Sequence, residues 1–143
     1  MNEKMTYKYS ICHPEKENIE YLNKPISGNE VRKIAENYPW IEKLKFSDSI
    51  KPENIYYSPS LDFTCIENGK SFCLTANYDK NQNLEFSLWY NRPKKVKVLF
   101  GLLGEKEKMV VDDVWGFSLE KSLTYLEHFV NGNHSMIERL YKN

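Results

Sequence analysis

The chain is predicted to be an α+β domain: an antiparallel meander sheet of about five or six strands, with an N-terminal helix and two C-terminal helices packed on one face. Three observations predict it. From Leu61 to Phe100 apolar and polar residues alternate, the period of a half-buried sheet. Turn-forming residues punctuate that alternation at Asn68-Gly69, Asp79–Asn83 and Arg92-Pro93. Capped helical patterns flank it, opening at Ser27 and Ser118.

Met5–Cys12 reads as a short strand with Met5, Tyr7, Tyr9 and Ile11 on one side. Ile19, Tyr21 and Leu22 join the core as a short strand or an anchored turn. Ser27 and Glu30 stand at capping-box spacing, and Val31, Ile34, Ala35 and Tyr38 follow at helical spacing until Pro39 ends the helix. Trp40, Ile41 and Leu44 suggest one further helical turn. Ser47–Ser60 reads as a loop around Pro52 and Pro59, with room for a brief strand at Ile55–Tyr57.

In the meander, a two-residue type I′ loop at Asn68-Gly69 sets Cys65 against Phe72, Phe63 against Leu74 and Leu61 against Ala76. The loop at Asp79–Asn83 then sets Tyr78 against Leu84. A turn through Arg92-Pro93 sets Tyr90 against Val96 and Leu88 against Val98. Leu102–Lys108 carries a turn-and-edge pattern, and Met109–Trp115 is a further strand in which Asp112-Asp113 marks a bulge or an end. Ser118 caps a helix with Leu119, Leu123, Leu126 and Val130 on its inner stripe. Asn131-Gly132 closes it, and a last helix carries Met136, Ile137, Leu140 and Tyr141.

A chain of 143 residues fits one domain, 1-143, and its 20 basic and 20 acidic side chains balance, which points away from nucleic acid as a partner. No apolar run reaches the roughly 18 residues of a membrane span. Met1–Lys8 has no apolar signal-peptide core, so the expected location is the cytoplasm. Three cysteines, with Cys65 and Cys73 on opposite faces of the expected hairpin, point to free thiols.

Candidate chemistry is sparse. Cys73 is the best-placed thiol, on the polar sheet face, but no histidine neighbours it in the meander. His13, His128 and His134 have no metal-ligand spacing, and His128 and His134 read as surface residues. Asp62 with Glu85, or Asp112 with Asp113, are the available carboxylate pairs, and nothing in their sequence surroundings raises a pKa. No Gly-rich phosphate loop or nucleophile elbow is present. The expectation is therefore a protein without catalytic residues, cofactor or metal.

The polar sheet face holds one feature of another kind. Trp89 stands among Glu85, Ser87, Asn91, Lys95 and Lys97, and a tryptophan so placed is either covered by the N-terminal segment or an anchor for a partner. These six residues form the candidate partner-binding set. The basic residues from Arg92 to Lys108 form either an edge protected against sheet pairing or a basic rim.

The order of helix at Ser27–Tyr38, meander with its Asn68-Gly69 hairpin and helix at Ser118–Val130 resembles the immunity proteins of bacterial polymorphic toxin systems. The chain is neutral where many of those proteins are acidic. The resemblance implies a non-catalytic domain that binds a cognate toxin domain and blocks it. The alternative from another class is a small-ligand-binding protein or enzyme, with a pocket between sheet and helices.

Overall fold

A computed structural model describes residues 5–97 and 105–141, with side chains described for 5–93 and 109–141. Val98, Leu99, Phe100 and the expected turn near Gly104 lie outside the described residues. The architecture is α+β. Six antiparallel strands form one sheet in the order β2-β1-β3-β4-β5-β6. They are β1 (Tyr7–Cys12), β2 (Glu20–Ile26), β3 (Ser60–Cys65), β4 (Ser71–Tyr78), β5 (Leu84–Lys97) and β6 (Glu105–Phe117). Four helices accompany them: α1 (Gly28–Asn37), α2 (Trp40–Asp48), α3 (Leu119–Val130) and α4 (His134–Glu138).

The caps form where the sequence places them. Ser27 Oγ accepts the N–H of Glu30, while the Glu30 carboxylate takes the Ser27 hydroxyl rather than its N–H. Ser118 Oγ accepts the N–H of Lys121. The segment Ile55–Tyr57 is not a strand. A 3-10 turn at Pro52–Asn54 precedes it, and Tyr56 N–H donates to the Pro14 carbonyl outside the sheet.

The faces of the meander are as expected, but one register is not. Leu61 pairs with Leu74, Phe63 with Phe72 and Asp62 with Cys73, a two-residue shift from the two-residue loop. The connection has four residues, Ile66–Gly69, with Gly69 N–H donating to the Cys65 carbonyl. Asn68 is the cause. Only Gly69 takes a positive φ, at +72°, and Asn68 Oδ1 accepts the Lys70 N–H, a local turn that replaces type I′. Because the shift is even, every side chain keeps its face. Cys65 and Cys73 remain on opposite faces, and all three cysteines are free. At the next loop Tyr78 pairs with Leu84 and Leu74 with Leu88, the expected register.

Arg92-Pro93 makes no turn. β5 runs straight through it, with Pro93 paired with Met109 and Val96 with Lys106. β4 begins opposite Asn91, so beyond that point β5 has β6 on one side only. A strand with one free side is where proline, lacking an N–H, is tolerated. Arg92 is turned inward and buried at 3% exposure, so it does not belong to a basic rim. The bulge in β6 is not at Asp112-Asp113 either. It falls where Phe86 pairs with Phe117 and Leu88 with Val114, and Gly116 supplies the φ of +89°.

All of the core-facing side chains from Leu61, Phe63, Phe72, Leu74, Phe86 and Leu88 are fully enclosed. Phe129 of α3 stacks on Phe72 with centroids 5.8 Å apart, and Trp40 of α2 meets Phe86 edge-on at 4.8 Å. Trp40 Nε1–H is satisfied by the Ala35 carbonyl at 2.9 Å. Helices thus seal one face of the sheet. No helix among the described residues is long and apolar enough to cross a membrane.

Candidate functional site: the second face of the sheet

Strand pairing lays the other face out in rows. Ser10, Asp62, Cys73, Trp89 and Asp113 follow one another across β1, β3, β4, β5 and β6. The neighbouring row is Lys8, Thr64, Ser71, Asn91 and Val111. β4 contributes only Ser71, Cys73 and Thr75 here, and such short side chains leave a depression beside the bulky indole of Trp89. The result is a pocket of about 300 Å³, at the small end of the range for ligand sites, lined by Asp62, Ser71, Cys73, Trp89, Asn91 and Val111 with Thr75. None of the described lining side chains is basic.

Trp89 is held from two directions. Its Nε1–H donates to Ser87 Oγ at 2.9 Å, and its ring meets Trp115 edge-to-face at 6.2 Å. Trp115 Nε1–H donates in turn to Asp113 Oδ2 at 2.7 Å. Both indole N–H groups are therefore used within the chain, and Trp89 remains half-buried. Of the two alternatives for Trp89, cover by the N-terminal segment is not found among the described residues. β1 lies in the sheet itself, separated from β5 by β3 and β4.

Asp62 is the least comfortable group on this face. Its Oδ1 is buried without a hydrogen-bond partner. Burial raises its pKa from 3.8 to about 6. Cys73, its cross-strand neighbour, has a pKa raised first by burial and then by the charge of Asp62, so the thiol stays protonated. A protonated thiol beside a carboxylate is a poor nucleophile. Its Sγ lies 3.7 Å from Thr75 Oγ1 and also contacts the Ser60 side chain.

His13, His134, Asp112 and Asp113 are engaged in contacts within the chain. His13 uses both ring nitrogens: Nδ1 accepts from Lys43 Nζ at 3.1 Å, and Nε2 contacts Glu20 Oε1 at 2.8 Å. His134 is not a surface residue as expected but half-buried, its Nδ1 2.8 Å from the Tyr90 hydroxyl, and burial lowers its pKa. Asp112 pairs with Arg92 at 2.7 Å while Asp113 holds Trp115, so the adjacent carboxylates serve different faces. No group of three or more His, Cys, Asp or Glu able to hold a metal occurs among the described residues.

Of the six candidate partner-binding residues, the structure brings Trp89 and Asn91 to the pocket wall. Ser87 is fully buried and positions Trp89. Glu85 pairs with Asn77, four residues along β5 from Trp89, and so stands apart from both Asp62 and the pocket. Lys95 and Lys97 pair in register with Glu107 and Glu105, and their side chains lie outside the described residues. Sequence reasoning missed Val111 and Trp115, which are 55% and 54% exposed beside Met109 at 46%. The signal was the alternate positions 109, 111, 113 and 115 of β6, whose face became clear only once β6 was paired with β5.

No protein-family model, curated protein or solved structure matches this chain.

Proposed function

We propose that the chain is a non-catalytic protein-binding domain, an immunity protein that binds and neutralises a cognate bacterial toxin domain through the second face of its sheet. One observation supports this above the others. Met109, Val111 and Trp115 are large apolar side chains exposed along one face of β6, with Asp113 between the last two, and Trp115 joins them to Trp89 through its ring contact. Large apolar side chains grouped on one open face favour association with another protein, and tryptophan is enriched at the energetic centres of such interfaces. The opposite face is packed against α2 and α3 through Trp40 and Phe129. The protonated Cys73 and the doubly bonded His13 further favour binding over catalysis.

Co-expression with the product of the adjacent gene tests this reading. The expected outcome is a complex that survives gel filtration, together with rescue of growth where that product is toxic. Trp115→Ser combined with Val111→Ser should abolish the complex while leaving thermal unfolding of the free chain nearly unchanged. Failure to form any complex, or a complex indifferent to both substitutions, would remove the proposal.

A further inference from the structure

We infer that the pocket beside Trp89 receives the guanidinium of an arginine side chain presented by the protein partner, paired with Asp62 and stacked on the Trp89 indole. This rests on the protein-binding reading above and adds the chemistry of the contact.

Four observations point to that occupant. Asp62 lines the pocket and carries a buried carboxylate oxygen, Oδ1, without a hydrogen-bond partner, and none of the described lining side chains is basic. Leaving a buried charged group uncompensated is costly, and a cation arriving from outside removes that cost. Trp89 spends its N–H on Ser87, which leaves the ring's π face as what it offers to a ligand. An indole face is the strongest of the aromatic cation acceptors. Ser71, Thr75 and Asn91 add oxygen acceptors around the same opening. Beside it, Val111 offers an exposed apolar surface for the methylenes of the incoming side chain.

Arginine fits this combination better than lysine. Its planar head stacks on an aromatic ring while its forked N–H groups reach several acceptors at once, whereas an ammonium is a compact point charge. A protein source fits better than a free guanidinium compound because the pocket opens beside the exposed Val111 and Trp115 side chains, which a small molecule would leave uncovered.

The test uses the full chain, 15N-labelled, and blocked arginine (N-acetyl-arginine amide) as the probe. The Trp89 indole N–H resonance, assigned with Trp89→Phe, should shift saturably at millimolar probe. Blocked citrulline, the uncharged isostere, should bind at least tenfold more weakly. Asp62→Asn should lose the difference between the two probes. An absent or non-saturating shift, or equal affinity for both probes, overturns the inference. The comparison of probes on the wild-type chain stands even if Asp62→Asn folds poorly. A complex with the adjacent gene's product that tolerates Asp62→Asn would remove the arginine contact and leave the binding face in place. Binding of blocked arginine without any protein complex would do the reverse, and would mark the pocket as one for small guanidinium compounds.

Discussion

Arg92 and Glu138 are joined through two guanidinium nitrogens, Nε and Nη2, so that α4 is fastened to β5 just beyond the end of β4. Arg92 also reaches Asp112 Oδ2 at 2.7 Å and lies 4.9 Å from the centre of the Tyr90 ring. Its side chain is 4% exposed, whereas those of Glu138 and Asp112 are 31% and 37% exposed. The asymmetry decides which partner matters more. Glu138→Ala strands a buried cation on one remaining carboxylate and should cost about 2–4 kcal/mol. Arg92→Met leaves two carboxylates with access to water and should cost less, about 1–2 kcal/mol. Urea unfolding of both variants checks the order, and the reverse order would show that the carboxylates carry the burial cost.

Gly116 gives a second expectation. Its φ of +89° lies where a side chain is strained, yet an added Cβ would meet nothing nearer than Glu85 Oε2 at 3.9 Å. Gly116→Ala should therefore destabilise by about 1–2 kcal/mol through backbone conformation alone. Cutting Glu85 back to Ala should not relieve that loss. A double variant recovering stability would mean that a clash, not the backbone, is the cause.

The two faces of the sheet should respond differently to truncation. Phe72 is fully enclosed between Phe129 and Tyr90, and Phe72→Ala should cost about 3–5 kcal/mol. Trp89 is half-buried on the face without helices, and Trp89→Ala should cost about 1–2 kcal/mol while weakening the partner complex at least tenfold. Thermal unfolding and gel filtration with the partner separate the two effects. Equal stability losses would place Trp89 in the core and take away its role as an anchor.

The alternation from Leu61 to Tyr90 was legible because side-chain parity in a strand is fixed by covalent geometry. It survived even where the loop at Asn68-Gly69 put the register two residues away from expectation. The turn itself was less legible: Asn68 suits both a type I′ turn and the local bond to the Lys70 N–H, and the second prevailed. Arg92-Pro93 misled for a related reason. Proline breaks a ladder only where its N–H is needed, and the absence of β4 beyond Asn91 could not be read from β5 alone. Within the candidate site, Trp89 stood out by residue type against its polar neighbours, Asn91 among them. The pocket did not, since it depends on Asp62, Ser71 and Val111 arriving from three other strands.

Asp62 links this site to stability through pH. Burial raises its pKa from 3.8 to about 6. Between about pH 4 and pH 6 the folded chain then holds a proton that the unfolded chain has released, so this group's contribution to stability falls as pH rises across that window. Above it the folded protein carries the full cost of a desolvated carboxylate. Two pKa units correspond to about 3 kcal/mol, and partial access to water reduces the expected effect to about 1–2 kcal/mol. Asp62→Asn, which keeps the shape and removes the charge, should be more stable than the wild type by that amount at pH 8 and nearly equal to it at pH 4. Urea unfolding of both proteins at the two pH values gives the difference directly, with the other carboxylates cancelling between them. A gap that is the same at both pH values would mean that Asp62 titrates as it does in the unfolded chain. The pocket would then hold no strained carboxylate for a cation to relieve.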